Sequence, residues 1–277
     1  MKKKSSAATT IGLVLVLVVG FSLLLYPTVS DWWNSMHQSR AVASYTQKVS
    51  ELDKVDYQNV WQAARDYNQT LNQKPNRFFM TDEDRVLYES VLNVAGNGVM
   101  GTIEIKKLNV NLPIYHGTNE AVLQVAIGHV EGSSLPTGDV GTHCVLSGHR
   151  GLPSAKLFTD LTKMKEGDPF YLRVLGQTLV YEVDQIKVVL PSDGSELEPE
   201  PGKDYCTLLT CTPYGVNSHR LLVRGERTQT PVLEVMAQQK DSEGKVNWNM
   251  VAWISGSIFL VSIGILAWLL LCKRRKV

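Results

Sequence analysis

The chain predicts a mainly β domain, a sandwich or a closed barrel, preceded by helices and flanked by an apolar helix at each end. Three observations predict it. From Gly101 to about Arg227 the sequence is a series of short β-branched segments separated by turn residues, and many short strands over one such stretch close into a barrel or pair as two sheets. Between Trp32 and Leu71 there is no Gly or Pro, and apolar residues recur at helical spacing. Both ends carry long runs without charge.

In chain order, residues 1–8 hold three lysines and form a short cytoplasmic terminus. The run Thr9–Tyr26 follows, and about 18–20 helical residues cross a hydrocarbon core of about 30 Å. It reads as an uncleaved anchor over 9–27. A cleavable signal peptide is the rival reading, but the run is long and exits through Tyr26-Pro27-Thr28-Val29-Ser30 without a small-x-small site. Residues 30–98 form an extracytoplasmic helical segment. In it Val42, Tyr45, Val49, Leu52, Val55, Val60, Ala63, Ala64, Tyr67 and Leu71 mark one or two amphipathic helices, Asn72–Asn76 breaks them, and Thr81-Asp82-Glu83-Asp84 caps a short helix through Leu92.

The β domain occupies 99–228. Its predicted strands are Met100–Ile105, Val110–Tyr115, His143–Gly148, Phe170–Val174, Thr178–Val189, Tyr205–Cys211 and Arg220–Glu226, with a hairpin through Leu175-Gly176-Gln177. Asn119–Ile127 and Ser154–Lys163 read as short helices. A polar linker, 229–249, leads to a second span over 250–272, with Trp248, Trp253 and Trp268 near its ends and the basic tail 273–277 after it. Basic residues lie on the terminal side of each span, so the positive-inside rule puts both termini in the cytoplasm and the β domain outside.

The 28 basic and 27 acidic residues leave a net charge of +1, which creates no field favouring nucleic acid. Of four cysteines, Cys272 lies at the membrane end, and three in the outer domain cannot build a disulfide framework. No Cys-x-x-Cys or His-x-x-x-His spacing is present, so neither a metal nor a cofactor is expected. A monomer partnered by the membrane is the expected state.

The strand Thr207-Leu208-Leu209-Thr210-Cys211 ends against Thr212-Pro213, which stops the ladder and leaves a thiol where loops meet. His149 follows another apolar strand and is set between Gly148 and Gly151, where a sharp turn is easy. Arg220 opens the next strand. Taken singly, each is an ordinary residue; together they place a thiol, an imidazole and a guanidinium at strand ends of one domain. A neighbouring cation favours a thiolate, the most nucleophilic form of cysteine. An imidazole can serve as acid to a leaving amine and base to the next nucleophile, and a guanidinium can hold an oxyanion. Such a set suits acyl transfer through a thioester.

Four segments in order carry a resemblance: Leu112-Pro113-Ile114-Tyr115-His116-Gly117, Leu146-Ser147-Gly148-His149-Arg150-Gly151-Leu152-Pro153, Thr207-Leu208-Leu209-Thr210-Cys211-Thr212-Pro213-Tyr214-Gly215, and Ser218-His219-Arg220-Leu221-Leu222-Val223. Over about Gly101–Arg227 the chain resembles the sortases, specifically the pilin-polymerising class C. That resemblance implies a closed eight-stranded barrel, with His149 as acid/base, Cys211 as nucleophile, and Arg220 as substrate and oxyanion ligand. Ser147 and Thr210 become substrate-binding candidates. It also implies a substrate, a pilin with an LPXTG-type sorting signal. Cys211 would attack the Thr carbonyl, release the Gly side, and pass the acyl group to a pilin lysine.

Class C sortases usually carry a lid with an Asp-Pro-aromatic motif before the barrel. Between Pro75 and Gly98 that motif is missing, and Phe78, Phe79 and Met80 are the candidate plug of a weak or absent lid. The Asp168-Pro169-Phe170 stretch opens a strand and reads as structural, and Leu135-Pro136-Thr137-Gly138 reads as a turn. His116, His129, His143 and His219 read as structural. Cys144 and Cys206 lie five residues before His149 and Cys211, an odd offset that points them away from the catalytic face, and they are expected to remain unbridged. Alternative functions are a housekeeping sortase acting on peptidoglycan, a hydrolytic cysteine protease, and a non-enzymatic membrane-tethered assembly module.

Overall fold

One long helix, α1 (Ala7–Glu51), carries the first apolar run and the start of the helical pattern after it, passing through Pro27 without interruption. A computed structural model describes residues 7–228 together with Ser257. The expected linker 229–249, second span 250–272 and basic tail 273–277 otherwise lie outside the described residues. The apolar stretch of α1 has none of its window buried in the protein, so no packed core accounts for its composition. By length and hydropathy it is long enough to cross a membrane.

Two shorter helices follow. In α2 (Lys54–Asn72), Asp53 caps the start by accepting from the amides of Val55 and Asp56, and the buried stripe is Trp61, Ala64, Tyr67, Asn68 and Leu71. That spacing is the amphipathic period read from the sequence. In α3 (Asp82–Ser90), the Thr81 hydroxyl and the Asp84 carboxylate cap each other's backbone amides, the reciprocal box expected at that position.

Eight strands then close a barrel: β1 (Val99–Ile105), β2 (Val110–His116), β3 (Ile127–His129), β4 (Thr142–Ser147), β5 (Pro169–Val174), β6 (Gln177–Val189), β7 (Asp204–Thr212) and β8 (His219–Arg227), in the order β1-β2-β3-β4-β7-β8-β6-β5. Pairing is antiparallel except for β2 with β3 and β4 with β7. Two expectations need correction. The segment Asn119–Ile127 is a helix only over Glu120–Leu123, and its last residue starts β3, which pairs Ile127 with Ile114. Ser154–Lys163 is mostly turns, with a 3-10 turn over Leu161–Lys163. In both, apolar spacing too short to define a period was overruled by pairing or packing partners distant in sequence.

The barrel has two distinct ends. At the exit end β4 and β7 finish and β8 begins. At the hairpin end Leu175 and Gly176 join β5 to β6, each with positive φ. Helix α1 lies along the β1–β2 side and touches both. The Lys156 amide donates to Asp31 (3.0 Å), Asn34 donates to the Ser154 carbonyl (2.8 Å), and Gln38 donates to the Val125 carbonyl (2.7 Å) near the exit end. Near the hairpin end the Tyr45 hydroxyl donates to the Met100 carbonyl and accepts from the Leu175 amide, each at 2.9 Å. Both α2 and α3 sit toward the hairpin end, where Asn68 exchanges two hydrogen bonds with the backbone of Leu135.

Inside the barrel Ile103, Leu172, Leu146, Leu208 and Val223 belong to one continuous core, with the Phe170 and Tyr181 rings stacked at 5.5 Å. A smaller cluster of Val145, Leu197 and Leu222, joined by Val130, Val189 and Leu209, covers the outer face of β4, β7 and β8. Strand alternation separates the two: Leu146 and Leu208 face inward, Val145 and Leu209 outward.

Candidate active site

Cys211 is the penultimate residue of β7 and lies directly across from Arg220 in the antiparallel β7–β8 ladder. Opposed residues of such a pair share a face, with Cβ atoms about 4.5–5.5 Å apart. On the other side of β7, parallel pairing sets Ser147 against Leu209, and the Gly148 amide donates to the Leu209 carbonyl (3.1 Å). Continuing that register by two residues brings His149 to the level of Cys211. Parity from Val145 places Ser147 and His149 on the outer face, and parity from Leu209 does the same for Cys211. All three catalytic candidates are half-buried. The outer apolar cluster therefore forms a floor leading to an accessible thiol, imidazole and guanidinium.

The loops around these residues are held by side chains. Arg150 donates from Nη1 to the Thr212 hydroxyl (3.1 Å), and its guanidinium carbon lies 6.0 Å from the Tyr214 ring centroid. Gly151 has φ +80°, and a Cβ there would meet the Tyr214 ring at 2.4 Å. The His149 carbonyl accepts from the Phe158 amide (3.1 Å), and the Gly151 amide donates to Thr159 (3.0 Å). So the loop after β4 and the loop after β7, which opens with a cis Thr212–Pro213 bond, are clasped to each other. Arg220 donates from Nη1 to the carbonyls of Asn217 and His219, both at 3.1 Å.

The sequence-derived candidates fall into two groups. Cys211, His149, Arg220 and Ser147 converge on one face. Thr210 does not: it is buried, and its hydroxyl donates to the Gly148 carbonyl at 2.7 Å. Its role is to hold the turn before His149, and a substrate contact through that side chain is corrected accordingly. Phe78, Phe79 and Met80 also sit elsewhere. Arg77, just before them, donates to the Gly132 carbonyl (2.7 Å) and to Ser134, whose hydroxyl also accepts from the His143 amide. That level is six residues of strand before His149, about 20 Å at about 3.3 Å per residue. The candidate plug thus lies away from Cys211 and does not cover it.

Residues set aside as structural have structural partners. His116, His129 and His143 are buried and hydrogen-bonded, and burial pulls the His143 imidazole down to about 4. The Nδ1 of His219 meets Ser218 at 2.9 Å. Phe170 is fully buried, and Gly138 turns with φ +75°. Cys144 and Cys206 oppose each other across β4 and β7, both with free thiols inside the barrel, and burial pushes the Cys206 thiol well above its ordinary value. Sequence reasoning missed Thr210 as a turn-holder and the clasp of Arg150, Thr212 and Tyr214. Only their adjacency to His149 and Cys211 pointed that way. Among the described residues no group of three or more His, Cys, Asp or Glu is arranged to hold a metal ion.

The chain is similar to known proteins of one family. Residues 103–228 match the family model described as the sortase domain. Sortase D of Bacillus subtilis is 32% identical over 130 residues, covering 46% of this chain, and sortase A of Bacillus anthracis is 31% identical over 133 residues, covering 48%. The matches span 63% and 61% of those relatives' own lengths. Among solved structures, sortase C1 of Streptococcus agalactiae is 49% identical with a TM-score of 0.66, covering 69% of this chain and 100% of that one. Sortase C of Clostridium perfringens with a C-terminal cell wall sorting motif is 42% identical with a TM-score of 0.61, over 69% and 100%.

Proposed function

This chain belongs to the sortase family, and from that premise we propose that it is a class C cysteine transpeptidase that joins pilin subunits. The observation that carries the reading is the pairing of Cys211 with Arg220 across β7–β8, with His149 at the same level beyond β4. In the proposed reaction the Cys211 thiolate attacks the Thr carbonyl of an LPXTG-type signal. Arg220 meets the oxyanion that develops. Collapse breaks the Thr–Gly bond as His149 gives its proton to the departing Gly amine, leaving a thioester on Cys211. A lysine amine of the next pilin attacks that thioester, His149 takes its proton, and the Cys211 thiolate departs from a new isopeptide bond. Ser147 lines the approach on the same outer face.

Class C neighbours among the solved structures, one of them holding a sorting motif, support the pilin reading. The second reading is attachment of proteins to peptidoglycan, and relatives named sortase A, outside the class C neighbours, keep it in play. The exposed apolar part of α1 supports an N-terminal membrane anchor. With the second apolar run at 250–272, it makes a two-span protein with both termini cytoplasmic and the barrel outside.

Mass spectrometry of the full chain incubated with a sorting-signal peptide and pilins tests this. An isopeptide bond to a pilin lysine is expected, with no product from Cys211→Ala. Transfer only to peptidoglycan amines would favour the housekeeping reading, and hydrolysis alone in every mixture would overturn both.

A further inference from the structure

The placement of α1 on the barrel has a geometric consequence. Its apolar run ends at Tyr26, and five residues later Asp31 accepts from the Lys156 amide at the exit end. At 1.5 Å per residue the barrel begins about 8 Å beyond the apolar run, within reach of a headgroup layer about 5–8 Å thick. From there α1 runs toward the hairpin end and reaches it at Tyr45. The end carrying Cys211, His149 and Arg220 is therefore the end from which the apolar run projects.

That end has the surface of something meant to meet an interface. Trp32 and Trp33 are exposed beside Asp31, where indoles favour the boundary between lipid and water. Leu190, Tyr214 and Val216 are exposed by 57%, 62% and 70% around the catalytic strands. Two of the loops at this end, Pro213–Ser218 and Gly151–Ala155, contain no acidic or basic residue, while Asp193 lies three residues past Leu190. On the adjoining loop Lys156 and Lys163 both pair with Asp160, and the Asp31 carboxylate sits beside Lys156, so this edge is close to neutral.

We propose that the catalytic end of the barrel rests on the lipid surface, with Leu190, Tyr214 and Val216 at headgroup level. The proposal depends on the anchoring role of α1. Its consequence is that Cys211 faces acyl donors held at the bilayer rather than free in solution, because the length of α1 between Tyr26 and Asp31 sets the height of the site.

The test uses the full chain in vesicles of phosphatidylcholine and phosphatidylglycerol. Bimane is attached at Val216→Cys, or separately at Leu190→Cys, in a Cys211→Ala, Cys272→Ser background; Cys144 and Cys206 are buried. The control is Val140→Cys, a matched valine 73% exposed toward the hairpin end. With headgroup-nitroxide lipid, most emission at 216 and 190 is expected to be lost and none at 140. A seven-residue helical insert between Val29 and Ser30 lifts the barrel by about 10 Å and restores the emission while the protein still sediments with vesicles. Sedimenting protein with no loss at 216 and 190, with equal loss at 140, or with loss unchanged by the insert overturns the proposal. Protein that fails to sediment overturns the anchor first, and the proposal with it.

Discussion

Arg150 is the side chain that couples the two halves of the site. It touches Thr212 and Tyr214 on the loop after Cys211, yet belongs to the loop after β4 and neighbours His149. Its substitution should act on geometry. Arg150→Ala is expected to lower kcat by about ten- to a hundred-fold, since misplacement of about 1 Å can cost that much, with little change in KM or in melting temperature. Buried titratable groups make a separate statement about stability. Burial raises Asp204 to about 7 and lowers His143 to about 4. Between pH 4 and 7 the folded state holds a proton on Asp204 that the unfolded chain has lost, so that residue makes stability fall as pH rises. Between pH 4 and 6.5 the unfolded chain protonates His143 and the folded state does not, so that residue makes stability rise. The two trends oppose each other in the native protein. In Asp204→Asn the amide oxygen can still accept from Tyr181 and Thr142, and the His143 trend remains. Unfolding free energy should then climb by up to about 3 kcal/mol from pH 4 to 6.5, which denaturant titrations at stepped pH would measure.

Among the elements, those with a long, clear pattern were legible in advance. The stripe of α2, the capping box of α3 and seven of the eight strands followed from residue spacing and turn chemistry. Strand β3 was not legible, because three residues carry no period and its pairing with β2 is specified by partners elsewhere in the chain. Nor was the continuity of α1, since the anchor was expected to end at Pro27 and the helical segment to start separately at Ser30. For the site, Cys211, His149 and Arg220 were visible as residues at strand ends, whereas the inward turn of Thr210 depended on strand parity and on the Gly148 carbonyl it meets. The position of Phe78 to Met80 depended on the packing of Arg77 against Gly132. With Phe79 exposed by 81% and distant from Cys211, Phe79→Ser should leave turnover within about twofold of the parent and alter stability by less than about 0.5 kcal/mol, as surface changes do. Rates measured with a short sorting-signal peptide would show a large activation if the segment plugged the site.

At the scale of the whole molecule, α1 and the barrel behave as one body because Tyr45 ties the helix to two strand ends. Its buried hydroxyl serves Met100 and Leu175 together, and burial pushes the phenol up to about 12, so it remains a donor across the physiological range. Tyr45→Phe leaves a carbonyl and an amide without that partner and should cost about 1–3 kcal/mol, read as a lower melting temperature with the barrel's β-sheet signal retained. The parallel neighbours β4 and β7 carry a different consequence, one of timing. His149 and Cys211 are separated by more than sixty positions along the chain, and a parallel ladder cannot be closed by a tight turn. The β5–β6 hairpin lies between β4 and β7 in the chain, and contacts of such long sequence separation are slow to make. Until β8 pairs with β7, Cys211 therefore has no Arg220 beside it, so the set of three side chains is complete only once the last strands are in place.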